Sequence, residues 1–145
     1  MQALSGSDLA EIHKRFGEFG DAVVPAVSIT SGHQGTAIRI EFEAIDLTLS
    51  EKDILSWARV EFLIENVNEF RIEQKANIMP IFIVYSGKVT TFEGRFFIGL
   101  DDRFDASSID GFRKSDFYVS GETLSWHWES LQHSAWSGRK IGNGS

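Results

Sequence analysis

Residues 58–72 run Ala-Arg-Val-Glu-Phe-Leu-Ile-Glu-Asn-Val-Asn-Glu-Phe-Arg-Ile, an alternation that sets Val60, Phe62 and Ile64 on one side and Arg59, Glu61 and Glu65 on the other. Successive side chains of a strand point to opposite faces, whereas a helix would scatter these residues round its circumference. The run predicts a strand buried on one face. Candidate strands lie before it (37–45) and after it (80–85 and 89–100), which makes it the centre of a sheet.

Asp8-Leu-Ala-Glu11 is a D-x-x-E helix start, followed by Leu9, Ile12, Phe16 and Phe19 at helical spacing, with Gly17 and Gly20 placed to end the element. Residues 23–31 form the next strand candidate, and Pro25, lacking a donor, suits an edge or the strand's beginning. Gly32-His-Gln-Gly35 then reverses the chain into 37–45, with Ile38, Ile40 and Phe42 inward and Arg39, Glu41 and Glu43 outward, so the pair predicts a hairpin.

Ser50-Glu-Lys-Asp53 repeats the cap signature ahead of Ile54, Leu55 and Trp57, for a short helix or a structured loop. Residues 78–85 are almost uninterruptedly apolar, as in a strand covered on both faces, and Ser86-Gly87 suits a two-residue reversal into 89–100. There Phe92, Phe96 and Ile98 share a face with Gly94, which marks a bulge or a sharp bend. Residues 101–111 are acidic and aperiodic, the longest loop, and loops on a rigid scaffold carry binding more often than strands do.

A turn at Gly121-Glu122 predicts a final hairpin pairing Val119 with Leu124 and Phe117 with Trp126. It sets Phe117, Val119, Leu124, Trp126 and Trp128 on one face and Tyr118 and His127 on the other. Residues 131–145, rich in Ser and Gly, are expected to form a fraying tail. The fold class is mainly β (α+β): one domain over 1–130, a single twisted antiparallel sheet or flattened barrel with one N-terminal helix packed on it.

Composition narrows the function. At 145 residues the chain can bury roughly 68–70% of its unfolded surface without staples. The absence of cysteine removes disulfides, thiolate metal sites and cysteine nucleophiles, and suits a reducing cytoplasm. The first eight residues lack the basic and apolar regions of an export signal, and no run approaches the ~20 apolar residues of a membrane span. We therefore expect a cytoplasmic protein that engages no membrane. A net charge of −7 and a pI near 5.0 oppose nucleic acid, whose backbone is bound by clustered Lys and Arg, and favour a basic protein partner.

No reaction centre is legible, and we expect no enzyme, no metal and no cofactor. His127 and His133 are six apart, which is neither a helical nor a strand metal spacing, and His13 and His33 lie far away in sequence. Asp101, Asp102, Asp105 and Asp110 offer oxygen ligands without the EF-hand spacing. Residues 31–36 lack both the lysine and the following helix of a phosphate loop, and nucleophile-elbow, zincin and dinucleotide motifs are missing. Glu41, Glu43, Glu61 and Glu65 interleave with Arg39 and Arg59, which cross-strand ion pairing explains. Most of the twelve Phe and four Trp fall on inward strand positions; Trp57, Phe104 and Trp136 depart from that phase and are expected nearer the surface. The partner-facing charges are expected in the acidic loop (Asp101, Asp102, Asp105, Asp110) and at Glu41, Glu61 and Glu65.

Phe19-Gly-Asp-Ala-Val23, then Val27-Ser-Ile29, Ile38-Arg-Ile-Glu-Phe42, Val60-Glu-Phe62 with Val67 and Phe70, and Phe92-Glu-Gly-Arg-Phe96 form a spaced pattern. It resembles the small bacterial immunity proteins grouped as immunity protein 50. Gly20 stands where that family has His, and neither the helix at Asp8 nor the Trp-rich C-terminal segment is part of the likeness. The resemblance implies a non-catalytic antidote that blocks a cognate toxin, which in such systems is often a basic nuclease, by direct binding. The competing expectation is a small-ligand-binding or enzymatic β-barrel with an aromatic cavity lined by Phe92, Phe96, Trp126 and Trp128.

Overall fold

The computed structural model describes residues 2–3, 6–50, 54–73, 82–84, 86–100 and 104–131. In chain order the elements are β1 (Gln2–Ala3), α1 (Gly6–Phe16), β2 (Ala22–Gly32), β3 (Gly35–Ile45), β4 (Trp57–Ile72), β5 (Phe82–Val84), β6 (Lys88–Phe92), β7 (Arg95–Gly99), α2 (Ile109–Arg113) and β8 (Phe117–Leu131). All eight strands join one antiparallel sheet in the order β5-β2-β3-β4-β8-β7-β6, with β1 on β8. The alternating run is indeed its centre: β4 is paired along one side with β3 and along the other with β8.

The inward residues follow the expected phase. Ile38, Ile40 and Phe42 of β3 and Val60, Phe62 and Ile64 of β4 are at most 1% exposed, and α1 lays Ile12 and Phe16, with Phe19 just beyond it, onto them. Phe19 stands 5.3 Å from Phe42 and 6.0 Å from Phe62, ring centre to ring centre, so the helix and the central hairpin share one aromatic nucleus. The helix begins at Gly6, which puts Asp8 inside its first turn. It ends at Gly17, whose N–H reaches the carbonyl of His13 and whose φ of 60° suits a residue without Cβ.

The sheet cannot be flat. Seven strands side by side span about 29 Å at ~4.8 Å per neighbour. Yet the outermost strands β5 and β6 are separated in the chain only by residues 85–87, which reach at most about 14 Å. The sheet therefore curls until its edges approach, and the end of α1 seals the seam. Gly87 N–H donates to Glu18 O, Ser86 Oγ to Glu18 Oε2, Lys88 Nζ lies 2.6 Å from Glu18 Oε1, and His13 Nε2 donates to Val89 O at 3.0 Å. Ser86-Gly87 is thus a crossing between edges. The hairpin expected there does not form, because β5 finds its partner in β2. Of the apolar stretch 78–85, residues 78–81 and 85 lie outside the described residues.

Three further expectations are corrected. Residues 89–100 are two strands, turned at Glu93 and Gly94, both with positive φ, as a two-residue hairpin requires. Phe92 consequently points away from Phe96 and joins Phe97, Phe104 and Phe112 on the outer side, beneath α2. The acidic loop contains that helix: Ser108 Oγ accepts from Gly111 N–H at its start, and a Cβ on Gly111 would fall 1.7 Å from Asp105 O. Lastly, β8 is one continuous strand and not a hairpin, running beside β4 from Ile72↔Phe117 to Trp57↔Leu131.

The residues assigned to the inner face of that supposed hairpin nonetheless do face the core. Phe117 and Val119 are odd-numbered, Leu124 and Trp126 even-numbered, so the strand changes phase between them. At the same level β4 bulges between Val67 and Glu69, with Asn66 at φ 50°. Gly121 permits this crossing, since a Cβ there would lie 2.5 Å from Ile64 Cγ2 and 2.9 Å from Glu65 O.

Candidate functional surface

On the outward face the register of β3, β4 and β8 sets charged residues in rows. Glu41, Glu61 and His127 stand opposite one another across three strands; Glu43, Arg59 and Glu129 form the next row. Directly opposed side chains have Cβ atoms ~5 Å apart, and like charges so placed oppose pairing. Relief comes from the neighbouring row, where Arg39 Nη1 reaches Glu61 Oε1 at 2.6 Å. Glu65 lies further along β4, opposite Thr123, and is exposed. Glu43, expected outside with the others, is only 2% exposed and so contributes nothing to an accessible acidic face.

The acidic loop forms a separate group. Asp101 and Asp102 lie outside the described residues. Asp105 is exposed and accepts from Ser107 N–H and Oγ at 2.9 and 2.6 Å, hydrogen bonds that hold its carboxyl below the usual carboxylate range. Asp110 is exposed and lies 3.5 Å from Arg113. Arg113 reaches over to β4, donating to both oxygens of Glu69 at 2.7 and 3.1 Å, and this lowers the Glu69 pKa and raises that of Arg113. The fork ties α2 to the sheet. Among the described residues no group of three or more His, Asp or Glu is arranged to hold a metal ion.

Two features escaped the sequence reading. One is a cleft of about 490 Å³ along the seam, lined by polar groups of His13, Glu18, Lys88, Thr90 and Ser107. None of Phe92, Phe96, Trp126 and Trp128 lines it: Trp126 is in the core, Phe96 and Trp128 pack against it, and Phe92 is on the opposite face. The other is the connection between β3 and β4. Asp46, 1% exposed, receives Arg15 Nη1 at 2.8 Å and accepts from Thr48 N–H and Oγ1; its own N–H donates to Ser56 O, and its carbonyl accepts from Ser50 Oγ. Arg15 is in turn stacked 4.1 Å above the Trp128 ring. Leu47, Leu49, Ile54 and Leu55, in the same connection, are each half-exposed or more. Residues 51–53 lie outside the described residues.

The aromatic exceptions resolve in part. Phe104 is half-buried, its ring 4.8 Å from that of Phe112, Trp57 opens β4, and Trp136 lies outside the described residues. His33 is exposed at the β2–β3 turn and His127 on the sheet face, His13 is bound to the seam, and His133 is outside the described residues. No helix of the described residues is long and apolar enough to cross a membrane. Comparison with protein-family models, with curated proteins and with solved structures found no match.

Proposed function

We propose that this chain is a non-catalytic binding protein whose partner is a basic protein, and that it acts as an immunity protein that neutralises a cognate toxin by direct contact. The observation that carries the binding reading is the Glu41–Glu61 pair. Two carboxylates are set opposite each other on two adjacent strands at the centre of the sheet, where a sheet built for stability alone would alternate charge. Arg39 offsets part of that repulsion from the Glu61 side, a cationic partner offsets more of it on binding, and complementary charge accelerates encounter. The family resemblance over residues 19–100 supplies the antidote role and a cytoplasmic setting, and the net charge of −7 suits a basic toxin.

The test uses the intact chain as bait in lysate of its source cells. A basic protein should be retained at low salt and released as ionic strength rises, and the Glu41→Lys/Glu61→Lys variant should associate at least ten times more slowly. Expression of the retained protein alone should arrest growth, and co-expression of this chain should restore it. Native mass spectrometry revealing a bound small molecule and no protein would instead favour a ligand-binding role for the seam cleft, whose convergent His13, Glu18 and Lys88 are the observation behind that second reading.

A further inference from the structure

Among the described histidines His13 is tied to the seam and His33 lies at the β2–β3 turn, whereas His127 stands on β8 directly opposite Glu61, with Glu41 one strand further on. Its side of the sheet is fixed by its neighbours: Trp126 is in the core and Trp128 packs against the core, so the exposed residue between them faces outward. At ~5 Å between opposed Cβ atoms, His127 lies about 5 Å from Glu61 and about 10 Å from Glu41. Charges around it come from β3, β4 and β8 itself. The row Glu41, Glu61, His127 is flanked by Arg39, Leu63, Ser125 on one side and by Glu43, Arg59, Glu129 on the other. Beyond β3, β2 sets Ala26 against Glu41 and Ser28 against Arg39; beside β8, β1 sets Gln2 and Ala3 against Trp126 and Ser125, so neither strand adds a charge. The three rows thus hold four carboxylates, one of them the buried Glu43, and two arginines, a formal charge of −2 while His127 is neutral and −1 once it is protonated.

Arginine stays charged throughout the physiological range and carboxylates ordinarily do as well; histidine is the side chain that changes charge between about pH 5 and about pH 8. We infer that His127 makes the partner surface of Glu41 and Glu61 sensitive to pH. Neutral, it leaves both carboxylates to a cationic partner. Protonated, it brings a positive charge beside Glu61, offsets the carboxylates from within the chain and repels the same partner. Affinity is therefore full above the range in which histidine titrates and falls as pH drops through it. The inference rests on the protein-binding reading above and adds to it the regulation of that surface.

The probe is decalysine, titrated into the full chain at fixed ionic strength, at about pH 7.5 and at about pH 5.5, while the backbone amide resonances of Glu41 and Glu61 are followed. In the parent chain the affinity read from these resonances should fall about threefold at the lower pH, the effect of one unit charge acting over ~6 Å through a water-like dielectric. His127→Gln, a change at an exposed position, should lose that dependence, and His33→Gln should keep it. A parent affinity that does not fall at the lower pH, or a fall that survives unchanged in His127→Gln, overturns the proposal and leaves the protein-binding reading standing. If instead the Glu41 and Glu61 resonances do not shift at either pH, or the Glu41→Lys/Glu61→Lys variant binds decalysine as the parent does, the acidic-face reading falls and the proposal falls with it.

Discussion

Single residues here matter most where charge is buried. Asp46 is sequestered with Arg15 and spreads its bonds over the β3–β4 connection. Removing one member of such a pair strands the other and frees the groups it bound; we expect Asp46→Ala to cost about 2–3 kcal/mol in urea denaturation, since Arg15 retains some access to water. Glu69 presents a different case. Its pKa is lowered chiefly by the hydrogen bonds from Arg113, so the stability it contributes is present above the ordinary glutamate pKa of 4.5 and is lost as pH falls through the lower folded value. Glu69→Gln should accordingly flatten the acid limb of a stability–pH profile below about pH 4.5 while leaving the limb above it parallel to that of the parent. Sequence alone could not single out either residue. Asp46 sits among ordinary loop residues, and the partner of Glu69 is 44 positions away.

At the scale of elements, the alternations were legible and the partners were not. Period two identified β3 and β4 and their inward residues, because burial of one sheet face imposes that pattern locally. The same logic could not distinguish a hairpin at Gly121 from a strand that changes phase there, since both put Phe117, Val119, Leu124 and Trp126 on one side. The distinction is measurable. Close Hα contacts between Gly121 and Val67 and between Thr123 and Glu65 are expected in nuclear Overhauser spectra; a hairpin would show Val119 against Leu124 instead. The alternation also failed across Glu93-Gly94, where the turn sends Phe92 to the outer cluster, and the short α2 inside the acidic loop carries too few residues for a helical period to show.

The whole molecule is a curled sheet whose two edges are brought together by a helix end. Glu18 is the hinge pin of that closure, bound through its carbonyl to Gly87 and through its carboxylate to Ser86 and Lys88, contacts that lower its pKa, with the Lys88 hydrogen bond the leading cause. Glu18→Ala should raise amide hydrogen exchange in residues 86–89 and leave β3 and β4 protected, because the seam opens without disturbing the central pairing. The acidic face lies on β3 and β4, at the centre of the sheet. A binding surface placed there meets its partner already ordered, which favours fast association and slow release.

The sequence by itself determined the class of fold, the central strand, the β2–β3 hairpin, the inward residues of the core and the sign of the surface charge. Each is a local or compositional property: the side-chain period, the turn residues and the count of carboxylates. Only the tertiary structure decided which strands neighbour one another across the seam, that Glu41 faces Glu61 while Glu43 is buried, and that Asp46 is buried against Arg15. These depend on pairings between residues remote in the chain. No local period encodes them; they follow from which edges can meet once the sheet has curled.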